Sequence, residues 1–323
     1  MRTRRLGSSD LHLTVIGLGA WAIGGGGWAF GWGPQDDKES VAAIHRALDL
    51  GINWIDTAAV YGLGHSEEVV GRALEGVRRD VILATKCGLV WDEGSTTPYG
   101  RLKAASLRRE LEASLRRLRT DHVDLYQIHW PDPDADIEEA WSAIAAFIRE
   151  GKVRCAGVSN FSVAQLDRVR AFHPVASLQP PYSMLTRHVE KEILPYCAAN
   201  EIGVVAYSPM QAGLLTGAIT KQRLAALPED DWRRKSRQYQ EPLLGANLRL
   251  VDKLRPIAER DGGTLGQLAI AWTLRRSEIT SAIVGARRPS QIEETARAAD
   301  RSLSAQDIEE IDALILERDQ SLA

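Results

Sequence analysis

Cysteine is scarce in this sequence, and its placement excludes several kinds of site. The 323 residues include three cysteines, Cys87, Cys155 and Cys197, which lie far apart in the chain. They form neither a C-x-x-C pair nor a cysteine–histidine spacing that binds zinc. An odd number of cysteines in apolar segments is typical of reduced, buried thiols in the cytoplasm. We therefore expect a cytoplasmic protein that holds no metal.

An excess of basic residues and a long apolar run are also missing. The formal net charge is -3, which gives no positive footprint for nucleic acid. Residues 1–17 lack the apolar core of a signal peptide, and no apolar run approaches the length of a membrane span. The sequence therefore predicts a soluble protein that binds neither nucleic acid nor membrane.

What the sequence does contain is a regular alternation of short apolar strands and helices. Near-continuous apolar runs are typical of strands that are buried on both faces. The predicted strands are 15–18, 52–56, 80–86, 123–129, 153–158, 176–179, 203–207 and 281–285. The predicted helices include 38–50, 66–76, 104–119, 135–150, 162–171, 187–200, 247–260, 264–276 and 289–297. Eight such units in a chain of this length favour an α/β fold of the (β/α)8 TIM-barrel type over an open sheet.

Two further elements flank the predicted barrel. Residues 3–6 and 11–14 surround the turn sequence GSSD, so we expect an N-terminal β-hairpin that closes the amino-terminal mouth. Residues 304–318 carry apolar side chains at helical spacing and predict an extra C-terminal helix. No linker or change of composition divides the chain, so residues 1–323 are predicted to form a single domain.

Ionisable residues stand at the predicted carboxyl ends of three neighbouring strands. Asp56 ends the second strand, with Tyr61 in the loop beyond it, Lys86 ends the third and His129 the fourth. Any one of them alone is better explained as a cap, a packing aromatic or a satisfied buried side chain. A barrel builds its active site at this face, however, so three adjacent strands that end this way predict a catalytic site. Ser66 is the expected N-cap of the helix that follows Tyr61.

Motifs along nearly the whole chain resemble those of the aldo-keto reductases, and they are specific when they occur together and in this order. They are GINWIDTAAVYGLGHSEEVVG (51–71), LATKCG (83–88), SLRRLRTDHVDLYQIHWPDP (114–133), GKVRCAGVSNF (151–161), LQPPYSML (178–185), VVAYSPM (204–210), LLTG (214–217) and SAIVGARRPSQIEE (281–294). The details are most similar to the bacterial branch that includes inositol-operon reductases and broad-range aldehyde reductases. The resemblance implies an NADPH-dependent enzyme that reduces aldehydes, with ketones or sugar-derived carbonyls as alternatives.

The resemblance implies that Asp56, Tyr61, Lys86 and His129 form a catalytic tetrad. In the family the tyrosine is the general acid that protonates the substrate carbonyl, while C4 of the reduced nicotinamide gives the hydride. A free phenol has a pKa near ~10, so we expect the Lys86 ammonium, itself paired with Asp56, to lower the pKa of Tyr61. His129 is expected to be neutral and to orient the carbonyl.

The resemblance also implies a set of cofactor-binding residues. Ser159, Asn160 and Gln179 match the polar residues that hold the nicotinamide carboxamide, and Tyr207 matches the aromatic that stacks on the ring. The loop 208–214 is expected to cover the pyrophosphate. The whole set is Gly19, Ala20, Trp21, Asp56, Ser159, Asn160, Gln179, Tyr207, Ser208, Pro209, Met210, Leu214, Gly285, Ala286, Arg287, Gln291 and Glu294.

The residues at the adenosine end bear on the choice between NADPH and NADH. Arg287 is expected to pair with a 2′-phosphate, with Arg288 as a second candidate, and a helix N-terminus near Pro289 adds a favourable dipole. These two features favour NADPH. NADH stays open as an alternative, because Gly285 and Ala286 replace the lysine–serine pair that many members use for the 2′-phosphate.

A stretch rich in glycine and tryptophan, 23–34, follows the first predicted strand. It is not a dinucleotide fingerprint, because no helix begins directly after it. The tryptophans at or beyond strand ends predict a substrate pocket walled by Trp21, Trp28, Trp32, Trp91 and Trp130, to which Trp232 and Tyr239 of the long loop 208–245 are expected to add. Indoles suit flat apolar carbonyl compounds and also stack on sugar rings. Small aldehydes are therefore the expected substrates.

Two other functions stay open from the residues alone. The same fold serves as a cofactor-binding module in potassium-channel β subunits, many of which lack a histidine at the position of His129, so that His129 favours an enzyme. A metal-dependent barrel hydrolase needs several histidine or carboxylate ligands at strand ends, where His129 is the only histidine. The oligomeric state and the physiological direction of the reaction are left open by the sequence.

Overall fold

The computed structural model describes residues 1–322 as an alternation of strands and helices. The strands are β1 (Thr3–Arg5), β2 (His12–Thr14), β3 (Ile16–Gly19), β4 (Trp54–Asp56), β5 (Ile82–Cys87), β6 (Leu89–Val90), β7 (Tyr99–Gly100), β8 (Val123–Ile128), β9 (Val153–Ser159), β10 (Ser177–Gln179), β11 (Gly203–Ala206) and β12 (Ile279–Gly285). The α-helices are α1 (Asp37–Asp49), α2 (His65–Ala73), α3 (Ala104–Leu118), α4 (Ile137–Arg149), α5 (Val163–Arg170), α6 (Ile193–Ala199), α7 (Lys221–Ala225), α8 (Leu243–Glu259), α9 (Leu265–Leu274), α10 (Pro289–Ala296) and α11 (Ala305–Gln320). Across residues 1–322, no helix combines the length and the apolar character needed to span a membrane.

Eight of these strands close into a parallel barrel. Their order around the barrel is β3, β4, β5, β8, β9, β10, β11 and β12, after which β12 pairs with β3 again. Helices surround the barrel, so the predicted (β/α)8 TIM barrel is confirmed. The register sets Gly19 beside Asp56 on one side and beside Gly285 on the other. The carboxyl ends of the strands therefore form one ring of neighbouring positions.

The larger differences between predicted and observed boundaries have local causes. The strand predicted from residue 52 begins at Trp54. The backbone N–H of Ile52 instead donates to the carbonyl oxygen of Ala47 at 3.1 Å, and that of Asn53 donates to the Thr14 hydroxyl at 3.2 Å. The helix predicted over 187–200 divides into a 3-10 turn, His188–Glu190, and α6. Pro195 lies in the first turn of α6, where a missing N–H does no harm, so the helix begins just before it. Helix α7, inside the long loop, was not predicted.

The start of α2 corrects the expected role of Ser66. The helix begins at His65, and its N-cap is Gly64 with φ 108°. The Ser66 hydroxyl donates to the carbonyl oxygen of Ala20 at 2.9 Å and lies 3.0 Å from the Thr57 hydroxyl. Ser66 therefore joins the ends of β3 and β4 to α2 and does not cap the helix.

The amino-terminal half of the barrel is filled. The predicted hairpin of β1 and β2 is present, and its buried leucines, among them Leu6 and Leu13, pack with Trp54 in one apolar cluster. The indole nitrogen of Trp54 donates to the carbonyl oxygen of Thr14 at 3.2 Å. Gly17 lies against this ring, where an added Cβ would come within 2.0 Å of the indole. Only the carboxyl-terminal half of the barrel is left open.

Two long segments cover the open half, and we call them together the roof: residues 20–36 and residues 208–242. The backbone N–H of Trp232 donates to the carbonyl oxygen of Gly31 at 3.1 Å, and the rings of Trp21 and Trp232 stack with centroids 5.0 Å apart. The hydroxyl of Tyr239 donates to the carbonyl oxygen of Gln211 at 3.0 Å, within the second segment. The roof is therefore one packed structure made of two parts of the chain.

The predicted C-terminal helix is α11. Ser304 is its N-cap and forms a capping box with Asp307. Ile311 and Ile315 are buried, and the helix packs against α8. It therefore adds to the outer layer of the barrel, as predicted.

Candidate active site

Three strand ends bring the predicted tetrad together at the floor of the open half. Lys86 Nζ lies 2.6 Å from Asp56 Oδ2, 2.9 Å from the carbonyl oxygen of Thr57 and 3.2 Å from Tyr61 Oη. Lys86 and Asp56 are buried, with 1% and 2% of their surface exposed. A buried ammonium group is costly unless it is paired and hydrogen-bonded. These contacts therefore fix Lys86 beside the phenol.

His129 completes the group from the loop after β8. Its backbone N–H donates to the carbonyl oxygen of Cys87 at 2.9 Å, and its ring meets the ring of Tyr61 edge-on with centroids 5.7 Å apart. Burial, reinforced by the positive charge of Lys86, holds the pKa of His129 well below 6.5. The imidazole is therefore neutral at neutral pH, as expected from the sequence.

The pKa of Tyr61 differs from the expectation. Burial raises the pKa of the Tyr61 phenol well above 10.0, and the negative charge of Asp56 raises it further. The Lys86 ammonium makes its shorter contacts with Asp56 and the Thr57 carbonyl, and its contact with the phenol, at 3.2 Å, is the longest of the three. Burial also lowers the pKa of Lys86, against the effect of Asp56. Tyr61 is therefore a protonated donor throughout the neutral range.

Two glutamines hold the second oxygen of Asp56. Oδ1 of Asp56 accepts hydrogen bonds from Nε2 of Gln179 at 2.9 Å and from Nε2 of Gln127 at 3.2 Å. Gln127 was not among the predicted site residues, although its place beside Lys86 in the pairing of β8 with β5 points to it. With these bonds, both carboxylate oxygens of Asp56 are occupied.

The predicted carboxamide residues form a wall beside His129. Asn160, with φ 64°, donates through Nδ2 to the carbonyl oxygen of His129 at 3.1 Å, and Tyr207 Oη donates to Asn160 Oδ1 at 3.0 Å. The hydroxyl of Ser159 donates to the carbonyl oxygen of Gln179 at 2.8 Å. The carboxyl ends of β9, β10 and β11 are thus connected by side-chain hydrogen bonds.

Between the tetrad and the roof lies a cavity of about 1100 Å³. Most predicted cofactor residues line it: Gly19, Trp21, Asp56, Ser159, Asn160, Gln179, Tyr207, Ser208, Pro209, Met210, Gly285, Arg287, Gln291 and Glu294. Of the predicted pocket tryptophans, those at its wall are Trp21, Trp28, Trp32 and Trp130. The cavity runs from Tyr61 and His129 to the N-terminus of α10, so it joins both predicted parts of the site.

Seven predicted residues do not line this cavity, namely Ala20, Lys86, Trp91, Leu214, Trp232, Tyr239 and Ala286. Lys86 is buried against Asp56 and Tyr61, and Trp232 stacks on Trp21 within the roof. Ala20, Leu214 and Ala286 are buried beneath its surface, because Leu214 packs into a cluster with Tyr239 and the two alanines belong to the barrel core. Trp91 lies beyond β6, outside the cavity wall. The position of a tryptophan near a strand end in the sequence does not determine whether its side chain faces the cavity.

Arg287 forms hydrogen bonds with residues of the roof. Its Nε donates to Gln35 Oε1 at 2.6 Å and its guanidinium also donates to the carbonyl oxygen of Pro34, while Gln35 Nε2 returns a bond to the carbonyl oxygen of Arg287 at 2.9 Å. The expected pairing of Arg287 with a 2′-phosphate therefore competes with bonds inside the protein. Arg288 also lines this end and is the more exposed guanidinium.

Several other residues at this end of the cavity were not predicted from the sequence. Gln35, Asp36 and Glu39 line the cavity from the first segment of the roof and the start of α1. Arg233 lines it from the second segment, pairs with Asp231 at 2.6 Å and lies over the ring of Trp32. These positions depend on how the roof folds, which no periodic pattern specifies.

The cavity presents groups that fit a nicotinamide dinucleotide. The amides of Asn160 and Gln179 and the ring of Tyr207 lie at the tetrad end, while Arg288 and the N-terminus of α10 lie at the other. Amides match a carboxamide, an aromatic ring matches a nicotinamide, and a helix N-terminus with a guanidinium matches phosphate. Across residues 1–322, three or more histidine, cysteine or acidic side chains nowhere lie together in a way that could hold a metal ion.

Comparison with known proteins gives concordant matches along the whole chain. The family model described as "Aldo/keto reductase family" matches residues 15–316. The aldo-keto reductase YhdN of Bacillus subtilis is 38% identical over 98% of this chain and 94% of its own length, and the NADH-specific methylglyoxal reductase of Escherichia coli is 35% identical over 95% and 96%. The structure of a glycerol dehydrogenase from Gluconobacter oxydans superposes with a TM-score of 0.88 at 39% identity, over 98% of this chain and 95% of that one.

Proposed function

The chain belongs to the aldo/keto reductase family, and on that premise we propose that it reduces aldehydes to alcohols with NADPH as the hydride donor. The observation that carries the proposal is the position of Lys86 Nζ, 2.6 Å from Asp56 and 3.2 Å from Tyr61 Oη, next to a neutral His129. A protonated phenol and a neutral imidazole at the end of one cavity suit a carbonyl oxygen that gains negative charge.

Tyr61 is the proposed general acid. When bound in this cavity, a reduced nicotinamide dinucleotide would supply the hydride for the carbonyl carbon. As the carbonyl oxygen gains charge, the O–H of Tyr61 gives its proton to that oxygen, and the resulting phenolate lies 3.2 Å from the ammonium of Lys86. Asp56, buried and held by two glutamines, keeps Lys86 charged. The phenol then regains a proton from solvent through the cavity.

His129 is proposed to orient the carbonyl. Its ring stands edge-on to Tyr61, so a carbonyl oxygen placed at the phenol also lies within reach of the imidazole. Because the imidazole is neutral, it donates one hydrogen bond and adds no competing acid. The backbone oxygen of His129 accepts a hydrogen bond from Asn160, a residue that is also proposed to bind the nicotinamide carboxamide.

We propose NADPH as the preferred cofactor, with Arg288 as the guanidinium that meets the 2′-phosphate. Arg287 is less suited, because its donors are used by Gln35 and Pro34. The acidic Asp36 and Glu39 line the same end of the cavity and oppose an added phosphate charge. The Escherichia coli relative is named NADH-specific, so the preference is a matter for direct measurement.

The proposed substrates are small aldehydes. The walls are aromatic: Trp21 and Trp28 lie beside Tyr61, and Trp130 also lines the cavity. Aromatic faces pack against flat or sugar-like compounds. Two relatives are named for the small oxygenated compounds methylglyoxal and glycerol. Compounds of this size are consistent with a short substrate that packs against the indole rings of the cavity.

The deciding experiment follows the absorbance of NADPH and of NADH during incubation of the purified protein with a set of aldehydes. The set contains methylglyoxal, glyceraldehyde, a benzaldehyde and pyridoxal. Turnover with at least one aldehyde, faster with NADPH than with NADH, is expected. Tight binding of NADPH with no turnover of any aldehyde would instead favour a cofactor-binding module without catalysis.

A further inference from the structure

The first turn of α2 is hydrogen-bonded to the residues that adjoin the tetrad in the chain. Ser66 contacts Thr57, which follows Asp56, and Glu67 accepts a hydrogen bond from Thr85, which precedes Lys86. Because alternate side chains of a strand point to opposite faces, Thr85 faces the helices while Lys86 faces the barrel interior. The helix turn is thus placed directly behind two of the strand ends that build the site.

Glu67 is an unusual residue for such a place. It is 0% exposed, Oε1 accepts the hydroxyl of Thr85 at 2.6 Å, and Oε2 accepts Nε of Arg117 at 2.7 Å. Removing a carboxylate from water is costly, and apolar residues of similar volume often replace a buried ion pair with no loss of stability. Stability alone therefore does not explain why a buried ion pair of Glu67 and Arg117 occupies this position.

Arg117, on α3, connects this pair to the loop that carries Tyr61. That loop runs from Tyr61 to Gly64, where φ is 108°. The stem of Arg117 lies against Gly64, so closely that an added Cβ would come within 3.0 Å of Arg117 Cδ. The side chain of Arg117 is thus bonded to Glu67 through its guanidinium and lies against the end of the Tyr61 loop at Gly64.

We propose that Glu67 is a positioning residue for the reduction: with Arg117 and Thr85 it holds the strand end of Lys86 and the loop of Tyr61 at the distance that allows Lys86 Nζ to contact the phenol. Glu67 does not touch the reacting atoms. Its effect passes through Thr85 to Lys86 and through Arg117 to Gly64 and Tyr61. The inference rests on the proposed aldehyde reduction and assigns a role to side chains outside the tetrad.

The charge of Glu67 also affects the pKa of Lys86, which provides a second way to test the proposed role. The ammonium is faced by Asp56 from β4, by Tyr61 from the following loop, by His129 from the end of β8 and, across β5, by Glu67 from α2. The negative charge of Glu67 raises the pKa of Lys86, against the larger effect of burial. Loss of that charge lowers the pH at which Lys86 and Tyr61, as a coupled pair, lose a proton.

The test compares Glu67→Gln with the unchanged chain. Glutamine keeps the shape and an acceptor for Thr85 but removes the charge that holds Arg117. We expect kcat for a good aldehyde to fall about tenfold to a hundredfold, with the affinity for NADPH changed less than twofold. The alkaline limb of the pH profile of kcat is expected to move to lower pH. Thr85→Val, which keeps the ion pair and the branched shape, is expected to lower kcat in the same direction by a smaller factor.

Asp124 provides a matched control. It is also a buried carboxylate next to β5, 3% exposed, and it accepts bonds from Arg78 and from the backbone N–H of Leu83, each at 2.9 Å. It lies at the opposite, amino-terminal end of the strand. Asp124→Asn is expected to lower the melting temperature at least as much as Glu67→Gln, yet to leave kcat and the alkaline limb unchanged.

A double variant separates positioning from packing. In Glu67→Met with Arg117→Met, apolar side chains fill the same volume without the ion pair. If this variant folds with the stability of the unchanged chain and keeps its kcat and alkaline limb, the inference is overturned. Equal losses of kcat in Glu67→Gln and Asp124→Asn would overturn it as well, because they would show a general effect of lost stability.

One readout does not need turnover. The difference in tyrosinate absorbance between a protein and its Tyr61→Phe counterpart reports the ionisation of Tyr61 alone. In the Glu67→Gln background this titration is expected to occur at lower pH than in the unchanged chain. An unchanged titration contradicts the role of Glu67, whereas absence of turnover in the unchanged chain with every aldehyde contradicts only the proposed function.

Discussion

At the scale of single residues, the site owes its character to two side chains whose pKa values are shifted in opposite directions. Burial raises the pKa of the Tyr61 phenol and lowers the pKa of the His129 imidazole. Both shifts favour the uncharged form, because a low-polarity surrounding penalises charge. Lys86 and Asp56 are the charged members, and they are paired with each other at 2.6 Å. The floor of the cavity therefore presents a protonated phenol and a neutral imidazole beside one ion pair.

These shifts predict a wide pH plateau for aldehyde reduction. On the alkaline side, activity is lost when the coupled pair of Lys86 and Tyr61 gives up a proton, since burial raises the pKa of Tyr61 well above 10.0 and lowers the pKa of Lys86 from 10.5. On the acid side, His129 gains a proton only well below 6.5. We expect kcat to be constant between these two limits. The measurement is kcat at saturating cofactor in overlapping buffers. A fall in kcat centred near neutral pH would show that another group controls the proton transfer.

Tyr61→Phe tests the general acid directly. The ring is kept and the proton is removed, so kcat for aldehyde reduction is expected to fall about a hundredfold or more. The dissociation constant of NADPH, measured by quenching of tryptophan fluorescence, is expected to change less than twofold. A variant that keeps most of its rate would remove Tyr61 from the proposed mechanism.

Which residues reach the site was predictable from the sequence only where a strand carries them. Asp56, Lys86 and His129 end or follow apolar strands, so the barrel itself brings them together. Arg287 shows the opposite case, since its partners Gln35 and Pro34 belong to a loop that lies 252 positions away in sequence. No local pattern specifies such a pairing, because it depends on how two loops fold on each other.

At the scale of elements, strands and hairpin are fixed by close packing inside the barrel. Trp54 fills the amino-terminal half because the backbone of β3 lets its ring approach at Gly17. The period of the apolar pattern shows that β3 and β4 are buried. It does not show that one large ring takes the place of several smaller side chains.

Gly17→Ala is expected to destabilise the fold strongly. The added Cβ would lie 2.0 Å from the indole of Trp54, and a fully buried ring in a close-packed barrel has little room to move. We expect the free energy of unfolding in urea to fall by about 3 kcal/mol. Gly285→Ala is the control, because its nearest neighbour would be 3.9 Å away, and a change within about 0.5 kcal/mol is expected. Equal losses would refute the packing explanation.

The elements that the sequence did not predict lie outside the strand–helix alternation. The short strands β6 and β7 and helix α7 have two to five residues each, too few for an apolar period to become visible. The start of α2 was misplaced because Ser66 is a good capping residue by type. Its hydroxyl is used instead by Ala20 and Thr57, contacts that only the assembled barrel creates.

At the scale of the whole molecule, the roof joins the two ends of the cavity. Arg287 lies at the end that the adenosine part is proposed to occupy. Its partner Gln35 belongs to the same segment as Trp28, whose ring lies 6.4 Å from that of Tyr61 at the other end. Contact between the two segments at Trp21 and Trp232 extends this connection across the opening. The hydrogen bonds of Arg287 to the first segment of the roof are therefore expected to stabilise the position of the roof above Tyr61 as well.

Arg287→Met tests that connection. Loss of the bonds to Gln35 and Pro34 is expected to raise KM for the aldehyde about tenfold, although Arg287 is remote from Tyr61. Arg288→Met is the matched control, because it removes a neighbouring charge that is not bonded to the roof. It is expected to weaken NADPH binding about tenfold and NADH binding little, with KM for the aldehyde unchanged. An unchanged KM in Arg287→Met would mean that the two ends are independent.

The filled amino-terminal half has a kinetic consequence. A barrel that a hairpin and Trp54 close at its amino-terminal face is entered and left from the opposite face. Where one ligand binds beneath another in such a barrel, the deeper ligand is expected to arrive first and to depart last.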